Sequence, residues 1–354
     1  MANPFIISFG KKPLEYIPRI QKTEEIMEAF TGEIVTTQAF MLLGVRGSGK
    51  TVALSAISKE LAEDKNWIVL ELNPTRDMLL SFAAMLYALP GMHKYFVEAK
   101  MDLSLLGIGT TISEGHQYAD VEQAISSMLE ILNKKGKRVL LTIDEVTNSQ
   151  YMREFVSAFQ IFIRKDYPVF LIMTGLYNNI HALRNNKDLT FLYRTPKIVL
   201  EGLNLTAVAA SYAKIFGLSE AQAGQIARLT GGYPFAFQVL GYVLWKRSPN
   251  LSGQDVELVV ESVMPEYDQM LQEYAYEKIW SELSPKEKKI IQIIAENRDF
   301  DILQIRQVMG MDSNSFAVYR DRMIRKGVLC SEGYGQVALA LPRFDVYVRS
   351  MGRS

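Results

Sequence analysis

Eight residues, Gly44 to Thr51, read Gly-Val-Arg-Gly-Ser-Gly-Lys-Thr and complete the pattern G-x-x-x-x-G-K-[ST]. Nothing else in the chain restricts its fold as strongly, because the pattern works only between a strand and a helix. Ala39-Phe40-Met41-Leu42-Leu43 supplies an apolar run before it, and Val52-Ala53-Leu54-Ser55-Ala56-Ile57 opens a stretch of helical spacing after it. Glycines let a backbone wrap closely round phosphates, so that N–H groups and the helix N-terminus face the anion. The contacting candidates are therefore Gly44, Val45, Arg46, Gly47, Ser48, Gly49, Lys50, Thr51 and Val52. Lys50 is expected to reach the β- and γ-phosphates, and Thr51 to offer its hydroxyl to Mg²⁺ bridging them.

The alternation that follows predicts an α/β fold. Trp67 to Asn73 reads as a strand, Arg76 to Leu89 as a helix up to Pro90-Gly91, and Gly107 to Gly115 as an insertion or flexible hairpin. Asp120 to Asn133 is an amphipathic helix, Val139 to Ile143 a nearly all-apolar strand, and Phe155 to Ile163 a helix. Strands at Pro168 to Thr174 and Lys197 to Leu200 complete the set. Continuous apolar strands separated by helices imply a parallel sheet covered on both faces. From Thr206 to Arg247 the pattern is helical with one break at Gly231-Gly232-Tyr233-Pro234, Asn250 to Gly253 reads as a hinge, and Val256 to Glu282 is helical again.

Asp144 and Glu145 end the third strand. In a site that hydrolyses a nucleotide, the first carboxylate holds Mg²⁺, usually through water, and the second orients or deprotonates the attacking water. A small-molecule kinase has no need of the second.

These residues together resemble the AAA+ class, in the branch of archaeal-type, STAND signalling and origin-recognition-like ATPases. The resemblance spans residues 15 to 345 and rests on Tyr16-Ile17-Pro18-Arg19, the phosphate loop (Walker A), Val139 to Glu145 (Walker B), Thr174, and Gly232-Tyr233-Pro234. It implies ATP as ligand, Pro18 and Arg19 against the adenine, and Pro234 in a lid over base and ribose. Thr174 would sense the γ-phosphate, with Asn178 as a second candidate. Arg194 matches the arginine-finger position, which requires a neighbouring subunit if it acts in trans, with Arg46 as the alternative. Where many members carry a lid arginine this chain has Pro234-Phe235, which favours the STAND-like or archaeal-type branch.

Near the C-terminus, Ser284-Pro285-Lys286-Glu287 is a capped helix start, with Ile290, Ile291, Ile293 and Ile294 as its buried face. Helices over Ile302 to Met309 and Ser313 to Lys326 follow. A hairpin of Val328-Leu329-Cys330 and Val337-Ala338-Leu339 comes next, around the turn Ser331-Glu332-Gly333-Tyr334-Gly335. Three helices and a hairpin resemble a winged helix-turn-helix. Its third helix would present Ser313, Asn314, Ser315, Arg320, Arg322 and Arg325 to double-stranded DNA, or the module would dock a protein. Twelve Lys/Arg against eight Asp/Glu from Ser284 to Ser354 leave about four positive charges there. The expected division is 1–203 for the ATPase core, 204–282 for the lid and connecting helices, and 283–354 for the winged helix.

Lys+Arg and Asp+Glu number 39 each, so no whole-chain field draws this protein to nucleic acid or an anionic membrane. Cys330 is the only cysteine, which excludes an internal disulfide or a cysteine zinc site and fits a reducing, cytoplasmic setting. No signal peptide or bilayer-length apolar run is read, and His93, His116 and His181 stand apart as incidental residues. The expectation is a slow ATPase switch. The alternatives are a DNA-binding initiator or mobile-element helper and an ADP-holding interaction module.

Overall fold

The computed structural model describes residues 2–8, 13–112, 115–187, 189–333 and 335–351. The chain divides into two compact units. One comprises Met1–Arg19, Gly44–Val52 and Leu200–Ser354, the other Ile20–Leu43 and Ala53–Val199.

The second unit is built on a parallel sheet. Its strands are β1 (Ala39–Leu43), β2 (Trp67–Glu71), β5 (Arg138–Ile143), β6 (Val169–Gly175) and β7 (Lys197–Val199), in the spatial order β2-β5-β6-β1-β7. The central strands are buried on both faces, as their unbroken apolar sequences require. Alternate residues Met41, Leu43, Val139, Leu141 and Met173 join a core with Phe155, Phe159 and Phe162 of helix Gln150–Arg164. Against Phe170, Phe30 of helix Ile20–Thr31 and Trp67 close an aromatic cluster with ring centroids 4.8–4.9 Å from it.

Two short strands, β3 (Met101–Asp102) and β4 (His116–Gln117), pair in parallel beside a helical turn at Ser104–Leu106. The described residues of the stretch Gly107 to Gly115 form no hairpin of their own, and Ser113 and Glu114 lie outside the described residues. Helix His93–Glu98 was not foreseen.

In the first unit, Leu205–Phe216, Glu220–Leu229 and Pro234–Arg247 are three helices where the sequence pattern predicted two. Gly217, with φ 68°, ends the first in the left-handed conformation, and Ser219 caps the next with a capping box. The segment read as a hinge is tied down instead: Leu251 is fully buried and its N–H donates to Phe216 O. Helix Val256–Leu271 passes through a π-turn, Gln272–Tyr276, into Glu277–Ser281.

The C-terminal helices Pro285–Glu296, Ile302–Met309 and Ser313–Arg325 precede an antiparallel pair, β8 (Leu329–Ser331) and β9 (Val337–Leu339), and a further helix, Phe344–Met351. Tyr334 of the hairpin turn lies outside the described residues. No helix among the described residues is long and apolar enough to cross a membrane.

The N-terminal segment is part of this unit's core. Phe5 is 1% exposed among Tyr212, Phe216 and Phe237, and a Cβ on Gly241 would fall 2.4 Å from its ring. Gln238 fixes the segment by accepting from Ile6 N–H and donating to Glu15 O. Phe5→Ala is expected to cost about 3–5 kcal/mol, read as a lower urea midpoint, because the surrounding rings cannot close the cavity.

Candidate functional site

The phosphate loop leaves the carboxyl end of β1 and enters helix Lys50–Ala62. Gly47 and Gly49 have φ of 76° and 86°. Gly47 needs its missing side chain twice over, for the left-handed backbone and because a Cβ would meet the Tyr233 hydroxyl at 2.3 Å. That hydroxyl donates to Arg46 O at 2.6 Å, and burial raises its pKa well above the ordinary tyrosine value, so it stays a donor.

Lys50 is nearly buried and its Nζ donates to Gly44 O and Val45 O, each at 3.0 Å. Arg19 Nη2 donates to Ser48 O at 2.9 Å, and burial lowers its pKa against the raising influence of Tyr16 and Glu201. The buried Ser48 hydroxyl has no hydrogen-bond partner among the described residues. A loop with left-handed glycines, a nearly buried ammonium on its own carbonyls and no acidic residue in its own sequence fits a polyphosphate. Pro234 opens helix Pro234–Arg247 at its first position, directly after Tyr233, while Pro18 is exposed.

In the other unit, β5 delivers Asp144 and Glu145 and β6 delivers Thr174, at the same end of a parallel sheet. Leu42 and Leu43, the last residues of β1, stand level with Thr174 and Gly175. The Thr174 hydroxyl donates to Asp144 Oδ1 and accepts from Glu145 N–H at 3.2 Å, which fixes the acidic pair. Glu145 is exposed and has φ 54°, an uncommon conformation for a residue with a side chain. Such strain persists where neighbours over-determine it, and here the Thr174 and Asp144 oxygens both take its N–H. These oxygens suit a hard divalent cation and a water to be deprotonated.

The remaining candidates are more scattered. Arg194 is exposed after the turn Thr190–Tyr193, and Asn178 is exposed in helix Tyr177–Arg184. Each histidine has a local neighbour: His93 Nδ1 lies 2.9 Å from Tyr87 O, His116 stacks edge-on with Tyr118, and His181 meets Asn185. Among the described residues, no group of three His, Cys, Asp or Glu side chains could hold a metal ion.

On helix Ser313–Arg325, Ser313, Asn314, Ser315 and Arg325 are exposed, but the other two candidate cations face carboxylates. Arg320 pairs with Asp321 at 3.0 Å and Arg322 Nε with Glu287 at 2.8 Å. Glu287 is fully buried and also accepts from Lys326 Nζ at 2.8 and 2.9 Å and from Ser284 N–H at 2.7 Å. Burial pushes its pKa up, but the Lys326 and Ser284 donors outweigh it and hold the carboxyl below its ordinary 4.5. A depressed carboxylate stabilises the fold above the unfolded pKa and loses that contribution as pH falls through the folded value. Glu287→Gln is therefore expected to flatten the acid limb of the stability–pH curve. At neutral pH it should cost about 3–5 kcal/mol in urea melts, since two cations lose a buried partner.

The chain shares its fold with solved structures. The Aeropyrum pernix ORC2 protein, solved as ADPNP–ADP complexes, aligns with a TM-score of 0.58 at 13% identity, covering 98% of each chain. Drosophila ORC bound to DNA aligns at 0.49 with 12% identity over 96% of each chain. Cdc6p of Pyrobaculum aerophilum aligns at 0.45 with 13% identity over 98% of this chain and 96% of its own. The first likeness shows that this chain shares that protein's fold over nearly the whole length. Residues 273–348 match the model of a domain of unknown function, DUF8462, and no curated protein sequence matches the chain.

Proposed function

We propose that this protein is a slow ATP-binding and ATP-hydrolysing switch that couples nucleotide state to its C-terminal three-helix-and-hairpin domain. The observation that carries the reading is the complete phosphate loop, and the Asp144–Thr174–Glu145 cluster on the strand ends of the parallel sheet, in the other unit, supports it. Lys50 and the loop N–H groups would hold the phosphates, and Thr51 and Asp144 would hold Mg²⁺. Bound there, the ion would bridge phosphate oxygens and neutralise their charge. Glu145 would orient and deprotonate water, Thr174 would sense the γ-phosphate through its hydroxyl, and Arg194 would reach a neighbouring copy's site. Pro18, Arg19 and Pro234 would border adenine and ribose.

The working division is 1–203, 204–282 and 283–354, in a cytoplasmic protein. Steady-state ATP hydrolysis, with Lys50→Ala as blank, tests the reading: turnover equal to the blank would remove the ATPase assignment.

A second reading, an initiator or helper that grips duplex DNA, has support from the exposed Ser313, Asn314, Ser315 and Arg325. Salt-dependent duplex binding and DNA-stimulated turnover distinguish it from a switch whose partner is a protein or a second copy. An ADP-holding module with little turnover would instead release nucleotide on denaturation.

A further inference from the structure

The segment that matches the domain of unknown function touches the phosphate loop at two places. Glu282, in the turn between helices Glu277–Ser281 and Pro285–Glu296, pairs with Arg46 at 3.6 Å, each side chain about one-third exposed (31% and 33%). Gly327, just past helix Ser313–Arg325, has φ 74°, and a Cβ there would lie 3.1 Å from Val45 Cβ. Val45 and Arg46 are positions that the phosphate-loop motif leaves open to any residue. The C-terminal segment therefore contacts the part of the loop that phosphate chemistry does not dictate.

We infer that residues 273–348 are a docking module for the protein's own phosphate loop, with Glu282 and Gly327 as positioning residues of the nucleotide site. The inference rests on the reading of that loop as a nucleotide site. A nucleotide brings several negative charges to a loop whose arginine already faces a carboxylate. Glu282 repels the incoming anion and competes with it for the Arg46 guanidinium. Binding thus weakens the hold of the loop on Glu282, and the linkage is reciprocal: a partner that draws the segment away raises nucleotide affinity. Gly327 acts sterically, since any side chain there presses on Val45.

The test is the affinity of the full chain for a fluorescent ADP analogue. Glu282→Gln is expected to tighten binding about two- to tenfold, a gain that damage to the fold does not produce. Gly327→Ala is expected to weaken it about three- to thirtyfold. Gly310→Ala is the control, because Gly310 ends helix Ile302–Met309 with a similar φ of 61° and open space around its Cβ. It should lose melting temperature through the left-handed backbone alone, less than Gly327→Ala does, and keep wild-type affinity. Unchanged affinity in Glu282→Gln, or equal affinities for the two alanine variants, would overturn the docking role. Wild-type protein that binds no analogue would overturn the nucleotide reading itself.

Discussion

Lys50→Ala is expected to lower affinity for ATP by about a hundred- to a thousandfold, roughly 3–4 kcal/mol, in a calorimetric titration. The ammonium is nearly buried and donates to the loop carbonyls Gly44 O and Val45 O, so it is held against the loop. Phosphate oxygens would make stronger, charge-assisted bonds to the same group, which is the source of the expected loss. The folded state also loses charge-assisted bonds to these carbonyls, about 1.5–3 kcal/mol each, so a melting curve is run beside the titration to show that the variant is folded at the temperature of the binding measurement. An affinity within threefold of wild type would remove Lys50 from the site.

Glu145→Gln should leave nucleotide binding intact and reduce turnover by about a hundred- to ten-thousandfold. The substitution keeps size and side-chain reach, and the backbone N–H that bonds Thr174 is untouched. Only the proton acceptor is lost. Because Glu145 is exposed, stability should move by no more than about 0.5 kcal/mol. Hydrolysis at the wild-type rate would show that some other group serves as the base.

Both predictions concern residues that the sequence announces, and the reason is physical. A phosphate loop is a contiguous device whose glycines, lysine and threonine must follow one another, and an acidic pair at the end of an apolar strand is equally local. The parallel sheet was legible for the same reason, since strands buried on both faces read as unbroken apolar runs.

What was not legible depends on residues distant in sequence. Tyr233 reaches Arg46 across 187 positions, and Glu282 and Gly327 meet the loop from still farther along the chain. The helix cap at Ser284 and Glu287 could be read from spacing, but not the burial of Glu287 against Arg322 and Lys326. That burial takes up one of the cations expected to face DNA, a cost that counting charges along the third helix does not reveal. Phe5 gave no periodic signal at all, and the break at Gly217 was hidden inside a continuous helical pattern.

The left-handed backbone at Glu145 sets two demands against each other at one position. A glycine would adopt that conformation without steric cost, yet it would carry no carboxylate. If Glu145 serves as the proposed base, selection for robustness alone would therefore drift toward a sturdier chain with a silent site. On that reading a thermostabilised version of this protein would have to be chosen by assay for turnover, because the melting curve would reward the wrong residue.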